Sequence, residues 1–195
     1  ITIGSTVSTA TSVAIATNTI TNLTSTGTGG NVTGITCSNT STLININGNT
    51  IGTLATTGAS AVIGIGVTGA TTTNVSKNKI YDLSGSNASS TVNGIFVSSG
   101  TTVNVSNNLV GDLRTPAANA ANSLIGLKIT GGSNVNAYYN KVSLNGTSTG
   151  ALFGSSAVFI NTTPTTATLR NNIFYNTSIP MGATGLTVAY RRSAV

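Results

Sequence analysis

The sequence predicts an all-β chain wound as a right-handed parallel β-helix, with about six coils of roughly 30 residues, three short strands per coil and an internal asparagine ladder. Six asparagines, Asn18, Asn49, Asn78, Asn108, Asn140 and Asn172, recur at intervals of 31, 29, 30, 32 and 32 residues. Each is followed two positions later by a large apolar residue (Ile20, Ile51, Ile80, Val110, Val142, Phe174). A second word keeps the same beat: Val32-Thr-Gly-Ile-Thr-Cys37, Val62-Ile-Gly-Ile-Gly-Val67, Val92-Asn-Gly-Ile-Phe-Val97, Leu124-Ile-Gly-Leu-Lys-Ile129, the degenerate Ser155-Ser-Ala-Val-Phe-Ile160, and Ala183-Thr-Gly-Leu-Thr-Val188. No helical stretch separates the words, so each unit must bury its apolar residues against the next coil.

In the Val-x-Gly-Ile-x-Val word, Gly34, Gly64, Gly94 and Gly126 mark a bend where a side chain would crowd the neighbouring coil. Stacking puts Cys37, Val67, Val97, Ile129 and Ile160 in one column, so Cys37 reads as a small buried apolar residue. The next strand precedes the ladder asparagine. Ile44-Asn45-Ile46, Thr73-Asn74-Val75, Val103-Asn104-Val105, Val135-Asn136-Ala137 and Ala167-Thr168-Leu169 keep mostly apolar flanks around a polar centre, which turns the flanks inward. The ladder asparagine then occupies an inward turn, where its amide donates to the next amide and accepts from turn backbone. Buried without those partners it would cost about 1–3 kcal/mol. A third strand runs through Asn-x-Ile-x-x-Leu to Leu23, Leu54, Leu83 and Leu113. The segments Thr24–Asn31, Ala55–Ala61, Ser84–Thr91 and Arg114–Ser123 vary in length and are rich in Ser, Thr, Gly, Ala and Asn, the composition of loops. The chain opens with strand-like residues (Ile1, Ile3, Val7, Val13, Ile15), so residues 1–195 are read as one domain, an excerpt or processed segment of a longer repeat protein.

Composition narrows the chemistry. Hydrophobic residues make up 38% of the chain and charged residues 5%, against about 25% charged in ordinary globular proteins. Solubility therefore rests on Ser, Thr, Asn and Gly, and the periodic β-branched residues set the chain apart from disordered segments of similar composition. There is no His and no Glu, and Asp82 and Asp112 are the only acidic side chains. Triads, acid–base pairs and metal clusters lack their parts, so no catalytic residue, cofactor or metal is expected. The net charge of +6 comes from eight scattered basic residues with Lys77/Lys79 and Arg191/Arg192 as close pairs, too thin a stripe for nucleic acid. No apolar run approaches the roughly 18 residues of a spanning helix, so membrane insertion is not expected. The single cysteine gives no disulfide framework.

Three surface features are candidates. Asp82 and Asp112 share a column, as acid groups do in pectin-cleaving β-helices; Lys79 and Arg114 are available as counter-charges, and a solvated turn accounts for both carboxylates. Phe96, Lys128 and Phe159 form one outward column after Thr36 and Gly66, a strip suited to sugar rings or a partner unless a loop covers it. The column Thr42, Thr71, Thr101, Ser133 and Thr165 has the regular hydroxyls of an ice-binding surface, but its neighbours Leu43, Thr72, Thr102, Asn134 and Thr166 are irregular.

The segments Asn107-Asn-Leu-Val-Gly-Asp-Leu-Arg-Thr115, Gly126-Leu-Lys-Ile-Thr-Gly-Gly-Ser-Asn-Val-Asn-Ala-Tyr-Tyr-Asn-Lys-Val-Ser-Leu-Asn145, Phe153-Gly-Ser-Ser-Ala-Val158, Leu169-Arg-Asn-Asn-Ile-Phe174 and Val188-Ala-Tyr-Arg-Arg-Ser193 resemble the recurring text of large secreted repeat proteins of Gram-negative bacteria, which carry a C-terminal sorting domain for type IX export. The resemblance covers most of the chain from Asn74 onward. It implies a right-handed β-helix at the cell surface or outside the cell, and it implies no reaction.

The expected function is a non-enzymatic extracellular structural solenoid: part of a surface layer, stalk, filament or adhesin. Carbohydrate binding is the alternative, with a polysaccharide lyase or hydrolase third. Neither end shows an amphipathic helix or charged edge strand to cover it. The expected partners are therefore flanking repeats of the same chain or another copy stacked end to end, with surface glycans as a further possibility.

Overall fold

The structure, a computed structural model, describes residues 1–3, 11–38, 41–161 and 163–193. Val7 of the expected opening strand lies outside them. The strands pair in parallel with their counterparts one coil away and build a β-solenoid of about 6 turns.

Four sheets run along its axis. The 7-stranded glycine face holds Thr2–Ile3, Val32–Cys37, Ala61–Val67, Thr91–Val97, Ala120–Ile129, Phe153–Ile160 and Thr187–Arg192. The 6-stranded amide face holds Ser12–Ala16, Leu43–Asn47, Thr72–Ser76, Thr102–Ser106, Asn134–Tyr138 and Thr166–Arg170. A 6-stranded narrow face follows the ladder turn, with Thr19–Ile20, Thr50–Ile51, Lys79–Ile80, Leu109–Gly111, Lys141–Leu144 and Ile173–Asn176. Leu23–Ser25, Leu54–Thr56, Leu83–Gly85 and Leu113–Arg114 form a 4-stranded corner strip.

The core is a set of columns, because parallel pairing in constant register sets like residue on like about 4.8 Å apart. Ile35, Ile65, Ile95, Leu127 and Val158 make one; Cys37, Val67, Val97, Ile129 and Ile160 make another, as expected. Ile51, Ile80, Val110 and Val142 close the core from the narrow face. The glycines sit at the seam between these columns. A Cβ on Gly64 would lie 2.5 Å from the Gly94 carbonyl oxygen and 2.7 Å from Ile80 Cγ2. One on Gly94 would lie 2.4 Å from Val110 Cγ1 and 2.6 Å from the Gly126 oxygen. The glycine strands turn two successive residues inward here, for example Gly34 and Ile35, which is the bend read from the sequence.

Three local expectations change. The strand drawn through to leucine is broken in two, because Asn22, Thr53, Asp82 and Asp112 adopt φ of 61°, 52°, 54° and 50°. This left-handed turn ends the narrow-face strand, and the leucine opens the corner strip instead. The segment Arg114–Ser123 is less of a loop than its composition suggests, since strand Ala120–Ile129 starts within it. The sixth word is out of register: Ser156 pairs with Val188 and Ile160 with Arg192, so Ala183–Val188 does not stack on the other copies. Residues just before it fold back instead. Met181 bridges Phe153 in antiparallel fashion, and a Cβ on Gly185 would lie 2.1 Å from the Met181 oxygen and 2.2 Å from the Phe153 oxygen. Gly185 serves that close approach rather than the glycine seam.

Candidate functional site

The ladder asparagines follow a turn residue with positive φ (Thr17, Gly48, Lys77, Asn107, Tyr139, Asn171), which swings the next side chain inward. Asn49, Asn78, Asn108 and Asn140 are buried. Each Oδ1 takes two hydrogen bonds from the asparagine one coil earlier. Asn108 Oδ1 accepts from the Asn78 backbone N–H and from Asn78 Nδ2, both at 3.0 Å. Each Nδ2 donates backward to a strand carbonyl and forward to the next Oδ1, as Asn108 does to Val75 O and Asn140 Oδ1, both at 2.9 Å. The pattern runs unbroken from Asn18 to Asn172. It satisfies the amides as the sequence required.

A second ladder was missed. On the outer side of the amide face, Asn74 Nδ2 donates to Asn45 Oδ1 at 2.8 Å, Asn104 to Asn74 at 2.8 Å and Asn136 to Asn104 at 3.0 Å. The repeat is visible in the sequence, where these residues read only as polar centres of a strand. They are half-buried, so water competes for the same groups. The threonine column Thr42, Thr71, Thr101, Ser133 and Thr165 is exposed at the adjoining turn.

The Asp82/Asp112 column is held by one cation. Arg114 donates through Nη2 to Asp82 Oδ1 and through Nη1 to Asp112 Oδ1. Its hydrogen bond holds the Asp82 carboxyl below the usual carboxylate range, against a smaller opposing effect of burial. Lys79 is not a partner of this pair; its Nζ lies 4.8 Å from the centre of the Tyr81 ring. Both carboxylates are therefore committed to Arg114, and both sit on left-handed turn residues where Asp is favoured for backbone reasons. Among the described residues no three His, Cys, Asp or Glu come together as a metal site.

Phe96, Lys128 and Phe159 stack in register on the glycine face, and Arg191 extends the column. Lys128 Nζ stands 5.1 Å from the Phe96 ring centre, and burial lowers the lysine pKa. All three are half-buried, and the parallel outward column Asn93, Ile125 and Ser156 is buried outright. Arg191 Nη1 reaches across to the Ala121 oxygen at 3.3 Å, and Ser156 Oγ donates to Asn122 Oδ1 at 2.7 Å. This face is largely filled by its own side chains rather than presented as a flat platform.

A concavity with a mostly apolar lining lies on the narrow face. A groove of about 300 Å³ is floored by Gly111 and Ser143 and flanked by Tyr81, Leu109, Lys79 and Lys141. No family model, curated protein or solved structure matches the chain. Chemically, the surface offers hydroxyls, amides, exposed rings and a few cations that have no carboxylate partner among the described residues. Cys37, the single thiol, is fully buried, and burial pushes it up to about 11. It is a packing residue with little thiolate character.

Proposed function

We propose that the chain is a non-enzymatic structural solenoid of an extracellular or cell-surface assembly, with each end covered by further coils of the same polypeptide or by another copy stacked head to tail. The observation that carries this reading is how the core columns change at the two ends. In the middle coils Ile44, Ile51 and Leu54 are wholly buried. Their first-coil counterparts Val13 and Ile20 are only partly covered, and Leu23 is 39% exposed. In the last coil Ala167, Leu169 and Phe174 lose cover relative to Val135, Ala137 and Val142, while Ile173, Ile179 and Leu186 stand exposed. Thr166–Arg170, Ile173–Asn176 and Thr187–Arg192 are the outermost strands of their sheets, so one edge of each has no strand partner among the described residues. Open strand edges beside an apolar floor are what another coil covers.

The non-enzymatic part is supported by Arg114 occupying both carboxylates. The location is supported by the resemblance to type IX-exported repeat proteins and by the Ser/Thr/Asn surface. Electron microscopy with light scattering tests the stacking. Filaments, or concentration-dependent end-to-end oligomers, are expected for the isolated chain. A monomer that persists at high concentration with both ends covered by its own residues would refute it. Incubation with pectin-like polysaccharides, with and without Ca²⁺, should give no cleavage; turnover abolished by Asp82→Asn would overturn the non-enzymatic reading.

A further inference from the structure

We infer that the narrow-face groove binds a linear anionic polysaccharide, laid along the solenoid axis with a sugar ring against Tyr81 and acid groups at Lys79 and Lys141. This goes beyond the structural role and holds whether or not copies stack.

The groove has a sticky wall, a low floor and a sign. Lys79, Leu109 and Lys141 form one outward column. Leu109 is 51% exposed. Tyr81 leans back over Gly52, where a Cβ would lie 2.9 Å from the ring carbon Cζ, so the ring is seated on backbone before any ligand arrives. Lys79 Nζ stands 4.8 Å from the ring centre, which sets cation and aromatic ring side by side for one sugar and its acid group. Gly111 and Ser143 continue that column with small side chains, leaving room beside the ring. Farther along, Ile173 and Tyr175, 60% and 57% exposed, prolong the apolar track.

Charge selects the occupant. The one carboxylate on the rim, Asp112, is engaged by Arg114, whereas neither Lys79 nor Lys141 has a carboxylate partner among the described residues. A second copy of a chain with net charge +6 would set these lysines against like charge. Nucleic acid is a poorer match, because single strands are held by stacking successive bases on aromatic side chains, and this groove is lined by one ring, Tyr81, with Lys79 Nζ 4.8 Å from its centre. A polymer with sugar rings and spaced acid groups meets both the ring and the lysines, and the axial repeat of the columns suits a repeating chain.

The test is titration of the 195-residue chain with polygalacturonate, dextran sulfate, uncharged dextran and single-stranded oligothymidylate at low salt. Binding to the two anionic polysaccharides and not to dextran is expected. Lys79→Ala and Tyr81→Ala should each weaken it about three- to fivefold. Ser143→Trp, which fills the groove without changing charge, should do the same, and Arg192→Ala, which removes one charge from another face, should change it less than about twofold. Circular dichroism checks folding; if Tyr81→Ala unfolds, Lys79→Ala and Ser143→Trp decide. The inference fails if the chain binds neither anionic polymer, if Arg192→Ala weakens binding as much as Lys79→Ala, or if oligothymidylate binds more tightly than the polysaccharides. A dimer in sedimentation that Ser143→Trp dissolves would assign the groove to a second copy and equally overturn it.

Discussion

Replacing Asn78 by Ala should cost far more than replacing Asn74 by Ala, although the two asparagines are four residues apart in one coil and both belong to ladders. Asn78 is buried and makes four hydrogen bonds: Oδ1 accepts from the Asn49 backbone N–H and Nδ2, both at 2.9 Å, and Nδ2 donates to Ile46 O at 2.9 Å and Asn108 Oδ1 at 3.0 Å. After truncation Asn49 Nδ2 still reaches Ile15 O, and Asn108 Oδ1 still accepts the residue-78 backbone N–H. The Asn49 backbone N–H loses the acceptor it has in this structure. One orphaned buried donor costs about 1–3 kcal/mol and each of the three further lost bonds about 0.5–1.5, which puts the total at about 2.5–7.5 kcal/mol. Asn74 also loses two amide–amide bonds, at 2.8 Å each, but at a half-buried site where water takes over, so its truncation should cost less than about 1 kcal/mol. Urea unfolding of the two variants beside the parent chain, at unchanged slope, measures the difference. At this chain length each kcal/mol also lowers Tm by about 2–4 °C. Equal losses in the two variants, or a neutral Asn78→Ala, would refute the claim that the inner ladder holds the turn.

The glycine face supplies a matched pair: Gly64→Ala should destabilise by about 1–3 kcal/mol by overpacking the seam, whereas Gly66→Ala, whose Cβ meets nothing nearer than 3.9 Å, should be neutral or slightly stabilising. Similar melting points for the two would contradict this. Thr73 lies wholly buried between Ile44 and Val103, and its Oγ1 has no hydrogen-bond partner among the described residues; Thr73→Val should raise unfolding free energy by about 1 kcal/mol or more, read by urea titration. For pH, the depressed Asp82 carboxyl contributes stability above the unfolded carboxylate value near 3.9 and loses it as pH falls through the lower folded value. The pair is exposed, so the amount is below about 1 kcal/mol; the melting temperature should stay flat from about pH 5 to 8 and decline only in acid, less so in Asp82→Asn. A steep loss between pH 5 and 7 would contradict it.

The architecture was legible because a solenoid writes each contact several times. Asn49, Asn78 and Asn108 stack on one another, so the spacing of one residue type in the sequence is itself the contact map. What escaped needed information that repetition does not carry. The break before Leu54 and Leu83 depends on the left-handed backbone of Thr53 and Asp82; the column Asn22, Asp82, Asp112 held that signal, since short polar side chains favour this conformation. The false sixth copy arose because Gly-Leu-Thr-Val is easily written in a chain rich in these residues, and only the return of Met181 onto Phe153 displaces it. The narrow-face groove depends on which way Tyr81 leans, and spacing says nothing about that.

The inner ladder also gives the molecule a direction. From Asn49 to Asn172 each Oδ1 receives from the coil before it, and from Asn18 to Asn140 each Nδ2 donates to the coil after it, so the amide dipoles line up head to tail and polarise one another in the same sense. At Asn18 the row finishes in an oxygen that accepts nothing among the described residues, and at Asn172 it finishes in N–H groups whose next acceptor, by the repeating geometry, belongs to one more coil. One terminus therefore presents an acceptor and the other presents donors. Two like termini cannot continue the row, which forbids a dyad at such a junction and leaves translation along the axis as the operator. Any fibre extended through the row is an arrow, with growing and trailing tips that differ in chemistry as well as shape.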